Sequence, residues 1–351
     1  KSLTKNIREV IFISNKNVQK GGTPPAPAFH ITIFSFHYQY THPIMQKNKF
    51  RNCLQILPVL FLMAFVSASC IKDDLSGCPS PHVSGLTLQV KAFDADGGTL
   101  GSETIKDITL YVFDKDKNLL DTLHTSLSEL VTLDYPGHDV LKLVAWGNGR
   151  QGSQTLPALR QGDHLETAFV SLIHQPQTRI TYPVAGSPDD LFYGTIDIQT
   201  SADALSATGT LSARELPLRR KVSGVAVTAR HLKEYVGSSD GDFHYILRKT
   251  GNMLDFYGLP NGTDVTTAEA SFNDRGDFVS SVFNILPTEE ELRIDIYHRG
   301  VLQTTVISDS NGKPLRVSEG RLLNVLVDFD GAISVEVKVT DWGKQEIWKE
   351  F

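Results

Sequence analysis

Cys70 and Cys78 flank Asp73 and Asp74 in the stretch FVSASCIKDDLSGCPSP, residues 65 to 81. Two thiols at this spacing have three chemistries open to them. They can close a small disulfide loop in an oxidising compartment. They can ligate a metal, although His82 is the only imidazole near them and two thiols with one His make an incomplete set. Alternatively, Cys70 can be acylated, because it follows the small residues Ser67, Ala68 and Ser69 at the end of an apolar run. Acylation is the preferred reading: the thiol takes a diacylglycerol, the chain is cut between Ser69 and Cys70, and the new amino terminus takes a further chain. One acyl chain gives marginal membrane binding, at about 0.8 kcal/mol per buried CH2, whereas two or three hold without a transmembrane helix. The site departs from the usual pattern in having Ser67, not Leu or Val, three places before the thiol. Cys53 lies upstream of the cut, so acylation of Cys70 leaves Cys78 as the one free thiol of the mature chain.

The apolar run is LQILPVLFLMAFV, residues 54 to 66. It is shorter than the roughly 20 residues a spanning helix needs, and Pro58 interrupts it. Lys47, Lys49 and Arg51 precede it. A basic flank, a short apolar core and a small-residue exit predict a secretory signal peptide, residues 45–69 from the first methionine, Met45. Residues 1–44 contain no methionine and hold His30, His37 and His42. They are expected to be an over-extended reading frame, the alternative being a genuine amino-terminal extension. Residues 70–81, with their charge, Ser, Gly and Pro, read as a solvated tether. Of 34 basic and 40 acidic residues, eight and one lie in residues 1–69, and the remaining 26 and 39 give the mature chain a net charge of −13. Such a surface repels phosphate backbones, so no nucleic-acid partner is expected.

Other patterns point to turns before they point to sites. Asp114-Lys-Asp-Lys-Asn118 opens like a calcium loop, but Leu119 stands at position six where Gly is required and Thr125 at position twelve where Glu is required. A hairpin turn is predicted there, and another at Asp94–Gly98. Arg275-Gly276-Asp277 is an integrin-type tripeptide in a predicted hairpin tip, Asn273–Asp277, and is a candidate receptor contact; Asn-Asp-Arg-Gly-Asp is also what a turn demands. The chain has no G-x-S-x-G, no H-E-x-x-H and no phosphate-binding glycine loop, so neither an enzyme, a cofactor nor a metal site is expected. Trp146 and Trp342 are candidate stacking surfaces, with core aromatics at strand ends as the preferred reading.

The elements that carry these residues read as strands. LTLQVKA at 86 to 92 and ISVEVKV at 333 to 339 alternate apolar and polar residues, and ITLYVF at 108 to 113 does so more loosely. Further strands are predicted over 140–146, 179–184, 222–228, 243–247, 268–272, 278–285, 293–298, 302–307 and 322–329, with one helical turn at His231–Tyr235. Asp96-Gly97-Gly98, Asn148-Gly149, Arg275-Gly276, Arg299-Gly300 and Asn311-Gly312 separate them. Many short strands at even spacing indicate β-sandwiches. A Ser/Ala/Thr-rich stretch, residues 201–212, predicts a boundary that divides 82–213 from 214–351, each near the common domain size. DITLYVFDKDKNLL in the first unit and ELRIDIYHRGVLQ in the second share a strand, polar turn and returning strand.

CIKDDLSGCP after a leader, LYVFDKDKNLLDTL, LKLVAWGN, LPLRRKVSGVAV, LRIDIYHRG and the closing VEVKVTDW together resemble the fimbrial anchor and minor-subunit lipoproteins of Bacteroidota, associated with fimbrillins. Lys72-Asp73-Asp74, just after the acylated thiol, resembles the export signal of surface-exposed lipoproteins in that phylum. The resemblance implies an all-β chain of two tandem transthyretin-like β-sandwich domains on a lipidated tether. It implies an outer-membrane location facing outward, partnership with fimbrial subunits, and assembly by strand addition, in which an unpaired edge templates backbone hydrogen bonds. Gly343–Phe351 is a candidate donor segment, a packed terminal strand or a loose tail being the equal alternative. The rival function is a surface glycan- or host-receptor-binding lipoprotein of the same architecture, such as a tip adhesin.

Overall fold

The computed structural model describes residues 86–176, 183–200, 213–346 and 348. The segments predicted as leader, acylation site and tether lie outside the described residues.

The first half contributes β1 (Leu86–Phe93), β2 (Thr99–Leu100), β3 (Ile108–Phe113), β4 (Leu119–Thr125), β5 (Leu130–Leu133), β6 (Val140–Gly147), β7 (Gln154–Thr155), β8 (Phe169–Leu172), β9 (His174–Gln175), β10 (Val184–Ala185), β11 (Phe192–Gln199) and β12 (Arg214–Arg220). The second contributes β13 (Ser223–Arg230), β14 (Phe243–Gly251), β15 (Met253–Asp255), β16 (Thr263–Ala268), β17 (Ala270–Phe272), β18 (Phe278–Ser280), β19 (Phe283–Ile285), β20 (Arg293–His298), β21 (Val301–Val306), β22 (Arg321–Asp328) and β23 (Ser334–Asp341). A single α-helical turn, Leu232–Val236, follows β13.

The period-two residues of β1 explain its placement. Leu86, Leu88, Val90 and Ala92 are buried while their neighbours are half-buried. They face Ile108, Leu110 and Val112 of β3 and Leu141, Leu143 and Ala145 of β6 across one apolar core. Each fully buried Leu or Val side chain contributes about 1.5–3 kcal/mol. The sheet that wraps this core runs β2-β1-β12-β11-β6-β3-β4, with β5 also paired to β1. In the second half two sheets face each other: β17-β18-β13-β22-β23, joined by β19, and β16-β14-β20-β21. Val225, Val227 and Ala229 of β13 meet Tyr245 and Leu247 of β14 and Ile294 and Ile296 of β20 between them. The two hairpins matched in sequence are β3–β4 and β20–β21. Each half also sets its first strand parallel to a late one: β1 beside β12, and β13 beside β22.

A third cluster bridges the halves. Tyr111, Phe113, Val144 and Trp146 on the opposite face of the first sheet pack with Leu254, Phe256 and Leu286 of the second half. Its edge is the short sheet β15-β8-β7, in which β15 comes from beyond residue 250.

The expected boundary before Arg214 requires correction. β12 pairs with β1 over Leu88–Phe93 and with β11 at Phe192 and Tyr193, so Arg214–Arg220 belongs to the first sheet. The chain crosses to the second half only after Arg220. Pro217 is tolerated there because the ladder to β11 reaches only Arg219 and Arg220. Gly194 makes the approach possible, since a Cβ at that position would lie 2.3 Å from the Pro217 carbonyl oxygen. Of the strand predicted over 179–184, residues 179–182 lie outside the described residues.

Candidate functional site: sheet edges and the anchor segment

Ser69, Cys70, Lys72, Asp73 and Asp74 lie outside the described residues. Among the described residues, no group of three His, Cys, Asp or Glu side chains is placed to hold a metal ion, and no helix is long and apolar enough to cross a membrane.

The tripeptide Arg275-Gly276-Asp277 sits in a turn that occurs five times among the described residues. Asp94, Asp114, Asp255, Asn273 and Asp309 each accept, on one side-chain oxygen, the backbone N–H groups two and four residues on, at 2.7–3.0 Å. The residue three places on has positive φ in every case: Gly97, Lys117, Gly258, Gly276 and Gly312. An Asx side chain mimics a backbone turn, and Gly enters the left-handed region without a Cβ penalty. Gly276 is therefore explained by φ +86°. The Asp277 carboxylate points inward. It is 5% exposed, accepts from Asn273 Nδ2 at 3.2 Å, and lies 3.9 Å from Nε of the buried Arg230. A receptor needs that carboxylate at the surface, so the receptor reading of Arg275, Gly276 and Asp277 is withdrawn. The same geometry accounts for the calcium-like segment, a hairpin turn capped by Asp114.

Both tryptophans are engaged. Trp146 is fully buried, with its ring centroid 4.8 Å from Tyr193 and 5.9 Å from Phe256. Trp342 lines a cleft of about 620 Å3 with Asp96, Arg220 and Arg321. One face of its ring carries the Arg220 guanidinium at 4.2 Å. Arg220 in turn binds Asp190 in bidentate fashion, at 2.5 and 2.8 Å.

The carboxy-terminal segment is docked. Glu346 N donates to Asn324 Oδ1 at 3.0 Å, Arg230 Nη2 donates to the Trp348 carbonyl at 3.0 Å, and Lys338 Nζ lies 4.7 Å from the centroid of the buried Trp348 ring. Gly343 to Glu346 form no strand. Of the two readings of Gly343–Phe351, the described part, residues 343–346 and Trp348, has the packed tail. Beside it, His231 donates from Nδ1 to Asp328 Oδ1 at 2.7 Å. That hydrogen bond, reinforced by the carboxylate's charge, raises the His231 pKa above its usual 6.5. Asp328 is lowered from 3.8: partial burial pushes it up, but the His231 hydrogen bond, the Asp330 backbone N–H and the charges of His231 and Arg230 together outweigh burial. The stabilisation linked to His231 is present below pH 6.5 and lost as pH rises through the raised value; that linked to Asp328 is present above pH 3.8 and lost as pH falls through the lowered one. An NMR titration is expected to place the His231 midpoint above 6.5 and to move it down in Asp328→Asn. A wild-type midpoint at or below 6.5 contradicts the pairing.

Open sheet edges are the remaining functional feature, because an edge presents unpaired N–H and C=O groups. β23 is eight residues long but guarded. Glu336 and Lys338 stand on it, and Val335 closes part of its edge by donating to Ser310 Oγ at 2.7 Å and accepting from Ser310 N at 2.9 Å. The free side of β16 is occupied by β10, where Thr266 Oγ1 donates to the Ala185 carbonyl at 2.7 Å. β21 differs from both. VLQTTV carries no charge and, among the described residues, pairs only with β20, and Val301 and Leu302 are 62% and 47% exposed. Charged side chains are the usual guard of an edge, and β21 lacks them. The sequence signal was present in this uncharged hairpin arm, but without the sheet order nothing marked it as an edge.

The described residues thus form an all-β chain with turn-capped hairpins, a packed carboxy-terminal segment and an unguarded edge at β21. The family model of the fimbrillin-A associated anchor proteins Mfa1 and Mfa2 matches residues 75–348, and the chain belongs to that family. It is 27% identical over 314 residues to the major fimbrium anchoring subunit FimB of Porphyromonas gingivalis strain W83, a match covering 84% of this chain and 96% of the relative. A second FimB sequence from the same species is 28% identical over 305 residues, covering 81% and 93%. The solved structure of the fimbrial anchor protein Mfa2 from Porphyromonas gingivalis superimposes with a TM-score of 0.53 at 15% identity, covering 74% of this chain and 97% of that one, which is a likeness of fold. The chain is thus a fimbrium-associated protein.

Proposed function

We propose that the chain is an outer-membrane lipoprotein, held through acylated Cys70 and carried to the outer face with Lys72, Asp73 and Asp74 as its export signal, that anchors a surface fimbrium or forms a minor subunit of it. The observation that carries this reading is the family match over 75–348, which takes in nearly all of the folded part and begins just past Cys70. Assembly proceeds by strand addition: a neighbouring subunit lays an extended segment along β21, gaining main-chain hydrogen bonds and covering Val301 and Leu302. The two halves act as tandem transthyretin-like sandwiches, divided after Arg220. Deletion of the gene followed by electron microscopy tests the role. Fimbriae shed into the medium, absent or abnormally long are expected; cells with fimbriae of wild-type number, length and attachment would remove the anchor function.

A further inference from the structure

We infer that the cleft between the β3–β4 hairpin and the loop over residues 149–159 binds a carboxylate-bearing sugar, with Arg150 holding the acid group. The cleft encloses about 390 Å3, within the range of roughly 300–1,000 Å3 found for small-molecule sites. Its floor is one face of the hairpin. Register pairs Thr109 with His124 and Tyr111 with Thr122, so all four side chains point the same way. Leu156 and Pro157 form the opposite wall.

Charge decides the ligand class. The mature chain is strongly acidic, and the cleft beside Trp342 is lined by Asp94, Asp96, Glu103, Asp190 and Asp341. The Arg150 cleft has no acidic lining residue at all. Arg150 Nη1 donates to His124 Nδ1 at 3.1 Å, and Thr109 Oγ1 lies 3.4 Å from the same nitrogen. Guanidinium can only donate, so His124 Nδ1 is the acceptor of this hydrogen bond, and an imidazole acceptor supplies no negative charge. Arg150 therefore keeps an uncompensated positive charge among the described residues. A guanidinium fork matches a carboxylate in two parallel hydrogen bonds. The partly exposed Thr122 hydroxyl suits a ring hydroxyl, Thr109 being buried beneath it, and the apolar wall suits the C–H face of a sugar. A hexuronic acid and a nonulosonic acid both present this combination. The cleft is lined by residues of the first half, whereas β21 belongs to a sheet of the second, and binding in the cleft does not depend on strand addition.

Calorimetry and ligand-observed NMR on the purified full chain, with glucuronate, N-acetylneuraminate, glucose and acetate, test the inference. At least one acidic sugar is expected to bind saturably, with glucose and acetate at least tenfold weaker. Arg150→Ala is expected to lose tenfold or more in affinity with an unchanged Tm, and Arg150→Lys to lose less. Equal binding of glucose shows that charge does not select; equal binding of acetate shows that the ring is not read. Either result overturns the inference, as does an Arg150→Ala chain that binds like wild type or a wild-type chain that saturates with neither acid.

Discussion

A Trp146→Ala chain is expected to be less stable than the parent by about 3–5 kcal/mol, the usual cost of truncating a buried large aromatic. Trp146 is fully buried and packs against Tyr193 and Phe256, so the cavity has little room to collapse. The same cluster takes Leu254, Phe256 and Leu286 from the second half, and loosening it weakens the junction as well as one sheet. Scanning calorimetry should record the loss as a lower Tm and, because the halves share this cluster, as a broader or divided transition. Trp146→Phe is a useful control. The Trp146 Nε1–H is buried without a hydrogen-bond partner among the described residues. Phenylalanine removes that unsatisfied donor while keeping a ring, so its cost is expected to be well below that of alanine. A loss under about 1 kcal/mol for alanine, on the scale of a surface substitution, would mean that the cluster does not bind the halves together.

Cys70→Ala is expected to abolish acylation and to move the protein out of the membrane fraction. Under the proposed lipid anchor the size of the effect follows from the acyl chains, whose binding energy accumulates at about 0.8 kcal/mol per buried CH2. Among the described residues there is no helix able to span a bilayer. Metabolic labelling with an alkyne fatty acid should mark the wild type and leave the variant blank. Labelling of equal strength in both would move the acylation site elsewhere. Mutating Lys72, Asp73 and Asp74 together is a different perturbation, expected to keep the label while reducing protease accessibility on intact cells.

The fold was legible where alternation was clean. Leu86–Phe93 and Ser334–Asp341 have period-two patterns, and both are strands within a residue or two of their predicted bounds. Arg214–Arg220 was hidden because Pro217 and four charged residues mask its alternation, yet Leu216, Leu218 and Arg220 are buried in turn. Phe192–Gln199 was hidden by Gly194, which is needed for contact with Pro217 rather than for a turn. Ile108–Phe113 shows the subtlest loss. Its loose alternation had a cause, for all six residues are buried, one face in each of two cores. No local pattern shows that a strand is covered on its second side by residues some 140 positions later. The candidate sites divide similarly. Turn chemistry at Asp114 and Asp94 was readable residue by residue, whereas the inward turn of Asp277 required Arg230, which lies on another strand.

The parallel pairing of β1 with β12 has a mechanical consequence. The chain enters β1 at its amino end and leaves β12 at its carboxyl end toward the second half. In a parallel pair those ends lie at opposite extremities, so under the anchor role proposed above, tension along the chain would slide the two strands lengthwise past each other. The registered contacts from Leu88–Arg214 through Phe93–Arg219 are then strained together rather than peeled one after another like a zip. A hairpin in that place would unravel from its open end under the same pull.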